Sequence, residues 1–207
     1  MEASVIQRSK FLVKLPIFLT IGRLFISPLF LIFYLFYGSF GISFKILPYI
    51  LLGLIVVSEI SDFFDGRIAR RYNAVTELGK VLDPMADSFT QTTILFAFTQ
   101  GVVKLPLMLI VLFLYRDLVI STLRTLCAMK GYTLAARMSG KVKAFLQGMS
   151  ILSIVGLMIP YSLGWISLET LRLVSFNIVC VTATYTILSG IEYIWVNRSY
   201  IKQAWIC

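Results

Sequence analysis

The stretch SDFFDGRIARRYNAVTELGKVLDPMADS, Ser61–Ser88, connects two long apolar runs and holds five of the ten acidic residues in the chain. The chain around it is 58% hydrophobic and only 14% charged, with a mean hydropathy of +0.88. Soluble domains are about 25% charged. This composition indicates an integral membrane protein that gathers its carboxylates in one place.

Six apolar segments surround that stretch, and about 20 consecutive apolar residues suffice to cross a bilayer as a helix. We therefore predict a single all-α membrane domain, 1–207, with six transmembrane helices. The segments are about Leu15–Tyr37, Leu47–Phe64, Met85–Gly101, Leu105–Met129, Ala144–Tyr161 and Leu171–Trp195. Residues 1–14 are basic and partly amphipathic, which favours a segment that lies along the lipid headgroups.

The basic residues of the connections predict the topology, because Lys and Arg concentrate on the cytoplasmic side. The N-terminal segment, the second and fourth connections and the C-terminus hold 13 of them, against three in the other connections. Both termini and Ser61–Ser88 should then be cytoplasmic. Anionic lipid and this topology, rather than nucleic acid, explain the net charge of +9. The chain has no histidine, which excludes a His-ligated metal or a His base.

Four aspartates of this stretch have helical spacing. Asp62 and Asp65 are three residues apart, and Asp83 and Asp87 are four apart. Each pair shares a helix face, so two neighbouring helices can direct four carboxylates to one point. Such a set fits Mg²⁺ or Mn²⁺, which prefer oxygen ligands, and a carboxylate is the natural general base in a chain without histidine. The alternative is that each aspartate pairs with a nearby arginine between helices.

The residues between the two pairs suggest a phosphate site. Gly66 lets a charged group approach the backbone, and Arg70, one turn later, can form a forked contact with a phosphate. We expect Glu77 to be a solvated loop charge and Gly79 to allow a tight turn before the third helix. Asp83-Pro84 either caps that helix or, if the helix starts earlier, interrupts its hydrogen bonding.

The string Asp62-x-x-Asp65-Gly66-x-x-Ala69-Arg70, then eight residues, then Gly79-x-x-x-Asp83-x-x-x-Asp87, resembles the signature of the CDP-alcohol phosphotransferase family. The resemblance implies a six-span fold and two bound metal ions. One ion would be held by Asp62, Asp65 and Asp83, and the other by Asp62, Asp83 and Asp87, with Asp87 also taking the proton. It further implies that the CDP-linked donor contacts Gly66, Arg70, Thr76, Pro16 and Thr20.

Three further stretches resemble the members of this family that use glycerol 3-phosphate. They are LPIFLTIGRLFISPLF (Leu15–Phe30), YRDLVISTLRTLCAMKG (Tyr115–Gly131) and SGKVKAFLQ (Ser139–Gln147). This implies transfer of a phosphatidyl group from CDP-diacylglycerol to glycerol 3-phosphate by a homodimer in the inner membrane. Ser88 and Ile17 differ from the Lys and Asn common there, so inositol phosphate, serine and phosphatidylglycerol stay open as acceptors. A divalent-cation transporter and an inactive scaffold are the alternatives from other classes.

Cationic residues after the aspartates predict a pocket for the acceptor's phosphate. Arg116 and Arg124 lie eight residues apart in the fourth apolar segment, and Lys141 and Lys143 precede the fifth. An acceptor that carries phosphate would need such cations, whereas choline or ethanolamine would not. The alternative is that these side chains reach for lipid headgroups and contribute to the positive cytoplasmic side.

Overall fold

The computed structural model describes residues 22, 24–71, 77–130 and 137–201, and at 62–71, 77–84 and 128 it describes only the helix that contains them. The described residues form helices and connections, with no strand among them. The long helices are α1 (Leu24–Phe36), α2 (Leu47–Arg71), α3 (Glu77–Ala97), α4 (Leu107–Met129), α5 (Met138–Ser162) and α6 (Leu168–Val196), and a short helical stretch follows at 198–201. The prediction of an all-α protein is thus confirmed over the described residues.

Three helices extend beyond the apolar segments into charged sequence. Helix α2 continues to Arg71, α3 begins at Glu77 and α5 begins at Met138. Backbone hydrogen bonds within a helix do not depend on side-chain polarity. Hydropathy therefore locates the apolar part of a helix and says little about where the helix ends.

The start of α3 corrects three expectations about the connection. Glu77 is the first helical residue instead of a loop charge, and Gly79 lies within the helix instead of in a turn. Pro84 also lies inside α3, so the N-cap at Asp83 is wrong and the alternative of an earlier start is right. Proline removes one helical hydrogen bond, but membrane helices tolerate it because neighbouring groups can satisfy the freed carbonyl.

Among the described residues, two helices are long and apolar enough to cross a membrane: α5, Met138–Ser162, and α6, Leu168–Val196. Helix α4 is nearly as long, but Arg116, Asp117 and Arg124 interrupt its apolar sequence. The apolar parts of α1 and α2 are shorter. Two such helices are consistent with a membrane protein, while the six spans and the cytoplasmic termini stay predictions.

Helix α6 has an inverted polarity compared with a helix of a soluble protein. Its buried face is rich in small and hydroxyl side chains: Ser175, Thr182, Ala183, Thr186, Ser189 and Gly190. Its exposed face carries large apolar side chains: Leu173, Val181, Leu188, Ile191 and Trp195. Small residues allow close helix packing where lipid, rather than water, surrounds the protein. The exposed apolar face is what a lipid-facing helix requires.

The chain divides into two compact units. The first contains the described residues up to Ala97 together with Val155–Trp165. Its connection after α1 is held by aromatic contacts, because Phe44 packs edge-on against Tyr37 and Tyr161 with ring centroids 5.6 Å apart in each pair. Gly164, with φ +79°, provides the left-handed conformation of the turn that follows α5.

The second unit contains Phe98–Ile154 and the residues from Ile166 onward. Ser167 caps α6, since its hydroxyl accepts a hydrogen bond from the Thr170 N–H at 3.1 Å. Arg172 donates through Nε to the Val102 carbonyl at 2.9 Å, which ties the start of α6 to the connection between α3 and α4. Helix α4 and the first part of α5 belong to this unit as well.

Candidate functional site

The predicted metal ligands lie on two consecutive helices. Asp62 and Asp65 are within α2, and Asp83 and Asp87 are within α3. The helical spacing on which the prediction depends is thus present. The Asp87 side chain is half-buried, whereas the other three side chains lie outside those that the structure describes. Convergence of the four, which we call the aspartate motif, stays a prediction, and no metal-binding group of three is found among the described side chains.

The donor set of this motif fits a hard divalent cation. All its ligands would be carboxylate oxygens, and two helices would supply them at spacings that keep each pair on one face. Carboxylate oxygens suit hard cations such as Mg²⁺ or Mn²⁺. Of the predicted donor-binding residues, Gly66 and Arg70 lie on α2. Pro16, Thr20 and Thr76 lie outside the described residues.

Thr90 is a polar residue of this region that the sequence analysis did not select. It lies three residues after Asp87 on α3, and only 7% of it is exposed. Its hydroxyl oxygen is buried and has no hydrogen-bond partner among the described residues. The i, i+3 spacing from Asp87 was the signal that could have identified it.

Arg116 and Lys143 of the second unit share one carboxylate. Arg116 donates through NH1 to Asp117 Oδ1 at 3.1 Å, and Lys143 Nζ lies 2.8 Å from Asp117 Oδ2 and 3.1 Å from Oδ1. Lys143 is only 2% exposed. Burying ions among apolar helices is costly unless they are paired. In the described part of the chain, two cations pair with a single anion, which leaves a surplus positive charge.

Helix α6 also contacts Arg116. Its NH2 donates to Ser189 Oγ at 3.3 Å, and the next residue, Gly190, is buried and lies against the arginine stem. The Arg116 Nε is buried and has no partner among the described residues. We call Arg116, Asp117, Lys143 and Ser189 the cation cluster.

Arg124 and Lys141 lie apart from these ion pairs. Arg124 donates through Nε to the Tyr193 hydroxyl at 3.0 Å, and its guanidinium carbon lies 5.3 Å from the centre of that ring. Tyr193 thus satisfies Arg124 by a hydrogen bond and by a cation–π contact. Lys141 is exposed.

An ion pair joins the beginning of α5 to the end of α6. Arg137 NH2 lies 3.0 Å from Glu192 Oε1, and both side chains are partly exposed. Neither residue, nor Ser189, Gly190 or Tyr193, was selected from the sequence. The repeat of Thr182, Thr186, Ser189 and Tyr193 along one face of α6 was the available signal, but only the structure identifies its partners.

Comparison with known proteins identifies the class of this protein. Residues 13–176 match the family model described as CDP-alcohol phosphatidyltransferase. The chain therefore belongs to this family of enzymes, and the resemblance seen in the aspartate motif is confirmed.

Relatives with curated names extend over nearly the whole chain. The chain is 36% identical to the CDP-diacylglycerol–glycerol-3-phosphate 3-phosphatidyltransferase of Rickettsia typhi, over 90% of this chain and 98% of that protein. It is 27% identical to the Bacillus subtilis protein of the same name, over 92% and 98%. It is also similar, at 29% identity over 85% and 78%, to a probable phosphatidylglycerophosphate synthase of Mycobacterium tuberculosis.

Proposed function

We propose that this protein transfers the phosphatidyl group of CDP-diacylglycerol to sn-glycerol 3-phosphate and releases CMP, forming phosphatidylglycerophosphate. The Rickettsia and Bacillus relatives bear the name of that reaction and align with 90% and 92% of this chain. One structural observation carries the choice of a phosphate-bearing acceptor: Arg116 and Lys143 share the carboxylate of Asp117.

The surplus charge of the cation cluster supports this choice. An uncompensated cation within apolar helices is unfavourable, and the phosphate of the acceptor would neutralise it. The planar guanidinium of Arg116 suits phosphate oxygens, and its buried Nε is still without a partner among the described residues. In this proposal Arg116 and Lys143 bind the acceptor phosphate, while Arg124 and the exposed Lys141 contribute longer-range attraction.

The aspartate motif would bind two ions of Mg²⁺ or Mn²⁺. Asp62, Asp65 and Asp83 would hold one ion, and Asp62, Asp83 and Asp87 the other. When bound, the ions would neutralise the diphosphate of the donor and polarise the phosphorus that is attacked.

The remaining chemistry belongs to side chains of this chain. Gly66 would leave room for the diphosphate, and Arg70 and Thr76 would orient it. Pro16 and Thr20 would line the cytidine side of the donor. Preorganised charges of this kind provide most of the stabilisation in phosphoryl transfer.

Asp87 would accept the proton of the acceptor's 1-hydroxyl. The hydroxyl oxygen then forms a bond to the phosphorus that bears the diacylglycerol. The bond from that phosphorus to the bridging oxygen breaks, and CMP leaves with the bonding electrons. The half-buried position of Asp87 on α3 is compatible with a base that is reached from solvent by a small acceptor.

The donor is a lipid, so we place the enzyme in the inner membrane, with six spans, cytoplasmic termini and a cytoplasmic active site. The long apolar helices α5 and α6 support this location, as does the exposed apolar face of α6. A homodimer remains part of the proposal. Membership of an enzyme family argues against the cation transporter and the inactive scaffold.

An acceptor panel tests the proposal. Purified protein in detergent micelles would receive CDP-diacylglycerol, Mg²⁺ or Mn²⁺, and either glycerol 3-phosphate, inositol phosphate, serine or phosphatidylglycerol. We expect CMP and phosphatidylglycerophosphate, detected by mass spectrometry, with glycerol 3-phosphate. Inositol phosphate is the second candidate, because the cation cluster would suit its phosphate equally well.

Two results would contradict parts of the proposal separately. Product from inositol phosphate or serine alone would end the glycerol 3-phosphate assignment and preserve the reaction class. CMP release that persists unchanged in EDTA would end the metal assignment, since the proposal expects EDTA to abolish activity and added Mg²⁺ or Mn²⁺ to restore it.

A further inference from the structure

The Arg116 side chain passes α6 at a point where that helix has no side chain. A Cβ built on Gly190 would lie 3.1 Å from Arg116 Cγ, which is tighter than nine in ten contacts that real Cβ atoms make. Cγ is near the root of the arginine side chain, so a clash there cannot be relieved by moving only the tip. Any larger residue at 190 would displace the arginine stem.

The preceding residue, Ser189, fixes the other end of this side chain. Its hydroxyl donates to the Thr186 carbonyl at 2.8 Å, which directs its lone pairs away from that carbonyl. It accepts from Arg116 NH2 at 3.3 Å. With NH1 bound to Asp117 at 3.1 Å, both terminal nitrogens of Arg116 are held, and the orientation of the guanidinium plane is determined.

We propose that Ser189 and Gly190 are positioning residues for acceptor recognition. Gly190 provides the gap that the Arg116 stem occupies, and Ser189 and Asp117 hold the guanidinium in the orientation in which it would meet the acceptor phosphate. This inference rests on the proposed function, because it assigns that phosphate to Arg116. Ser189 and Gly190 act only through Arg116 and touch neither substrate.

The simpler explanation of Gly190 is close helix packing, and two glycines of α5 help to separate the two explanations. Gly156, on α5, has no atom within 4 Å of a built Cβ, and at Gly140 the nearest is Arg116 NH2 at an ordinary 3.7 Å. Gly→Ala substitutions at 156, 140 and 190 make the same chemical change, but the added methyl group would have no neighbour within 4 Å at 156, Arg116 NH2 at a distance of 3.7 Å at 140 and Arg116 Cγ at a distance of 3.1 Å at 190. Packing alone predicts no dependence of acceptor affinity on that distance.

The test measures KM for glycerol 3-phosphate at saturating CDP-diacylglycerol, and KM for CDP-diacylglycerol at saturating acceptor. We expect Gly190→Ala to raise the acceptor KM about tenfold, because a displaced Arg116 would lose a charge-assisted hydrogen bond to the phosphate, and such a loss weakens binding by about that factor. Gly140→Ala should raise it about twofold or less and Gly156→Ala not at all, since their contacts are weaker. The KM for CDP-diacylglycerol should be unchanged in all three.

A serine series tests the same idea without added bulk near Cγ. Ser189→Ala should raise the acceptor KM about threefold because one hydrogen bond to Arg116 is lost, and Ser189→Thr should restore most of it. If Gly190→Ala does not yield folded protein, this series decides alone. An acceptor KM unchanged in Ser189→Ala would then overturn the inference.

The variant Arg116→Met distinguishes failure of this inference from failure of the proposed function. If Arg116→Met leaves the acceptor KM unchanged, the assignment of the phosphate to Arg116 is wrong, and the positioning role falls with it. If Arg116→Met raises the KM while Gly190→Ala does not, only the positioning role is overturned. If the positioning role is correct, adding Gly190→Ala to Arg116→Met should not raise the acceptor KM any further.

Discussion

The aspartate motif and the cation cluster differ in how far apart their members lie in the sequence. The motif concentrates carboxylates on α2 and α3 within the range 62–87. The cluster draws on three helices, and its contacts join residues 26 and 73 positions apart. Among the described residues, its two cations share one counter-ion, Asp117. The comparison teaches that the motif is a local sequence pattern, for which we propose cations as ligands, whereas the cluster is assembled by tertiary packing, and we propose that it binds one anion.

The largest expected effect is that of Asp87→Asn. Removing the proposed base should lower kcat about 10³-fold, within the usual range for general base catalysis. The measurement is CMP release at saturating concentrations of both substrates. Glu169→Gln, at an exposed acidic residue in the first turn of α6, is the control and should retain activity. Near-normal turnover of Asp87→Asn would mean that Asp87 is not the general base.

Asp117→Asn should have the largest effect on stability. It keeps the shape of the side chain but leaves Arg116 and Lys143 without their shared anion. Breaking a buried ion pair on one side costs about 3 kcal/mol or more, which a fall in Tm in detergent would report.

Adding Lys143→Met to Asp117→Asn removes one of the two unpaired cations and should recover part of the lost Tm. Recovery would show that the unpaired positive charges of the cation cluster cause the loss of stability in Asp117→Asn. A single Asp117→Asn variant that melts like the unmodified protein would show that the cluster is not held together by that carboxylate.

A smaller effect is expected from Tyr193→Phe. This change removes the hydroxyl that accepts from Arg124 Nε and retains the ring that lies beneath the guanidinium. We expect a loss of about 1 kcal/mol in the free energy of unfolding, the usual value of one hydrogen bond, with kcat unchanged. Tyr185→Phe on the same helix is the matched control. Equal stability of the two variants would mean that Tyr193 does not hold Arg124.

The smallest effect is expected from Glu192→Gln. The ion pair with Arg137 is partly exposed on both sides, and pairs of this kind contribute about 0.3 kcal/mol once solvent screening is included. Thermal melts at low and high salt should differ little between this variant and the unmodified protein. A fall in Tm as large as that of Asp117→Asn would mean that this pair is as important as the buried cluster.

Several features were predictable because they depend on residues that are near in sequence. The apolar segments located the helices, and the second segment begins at Leu47, where α2 begins. The spacing within the aspartate motif needed only the helical repeat. The start of α3 was not predictable in the same way. Proline at 84 is typical of a helix start, yet α3 begins at Glu77.

The sequence by itself determined the helical class, the family signature and the four carboxylates on two helices, because local spacing and hydropathy carry that information. Only the tertiary structure decided that Arg116 and Lys143 share Asp117, that Arg124 is held by Tyr193, and that Gly190 leaves room for the Arg116 stem. Those facts depend on which faces of α4, α5 and α6 pack together, and side chains from separate helices meet only when the chain is folded.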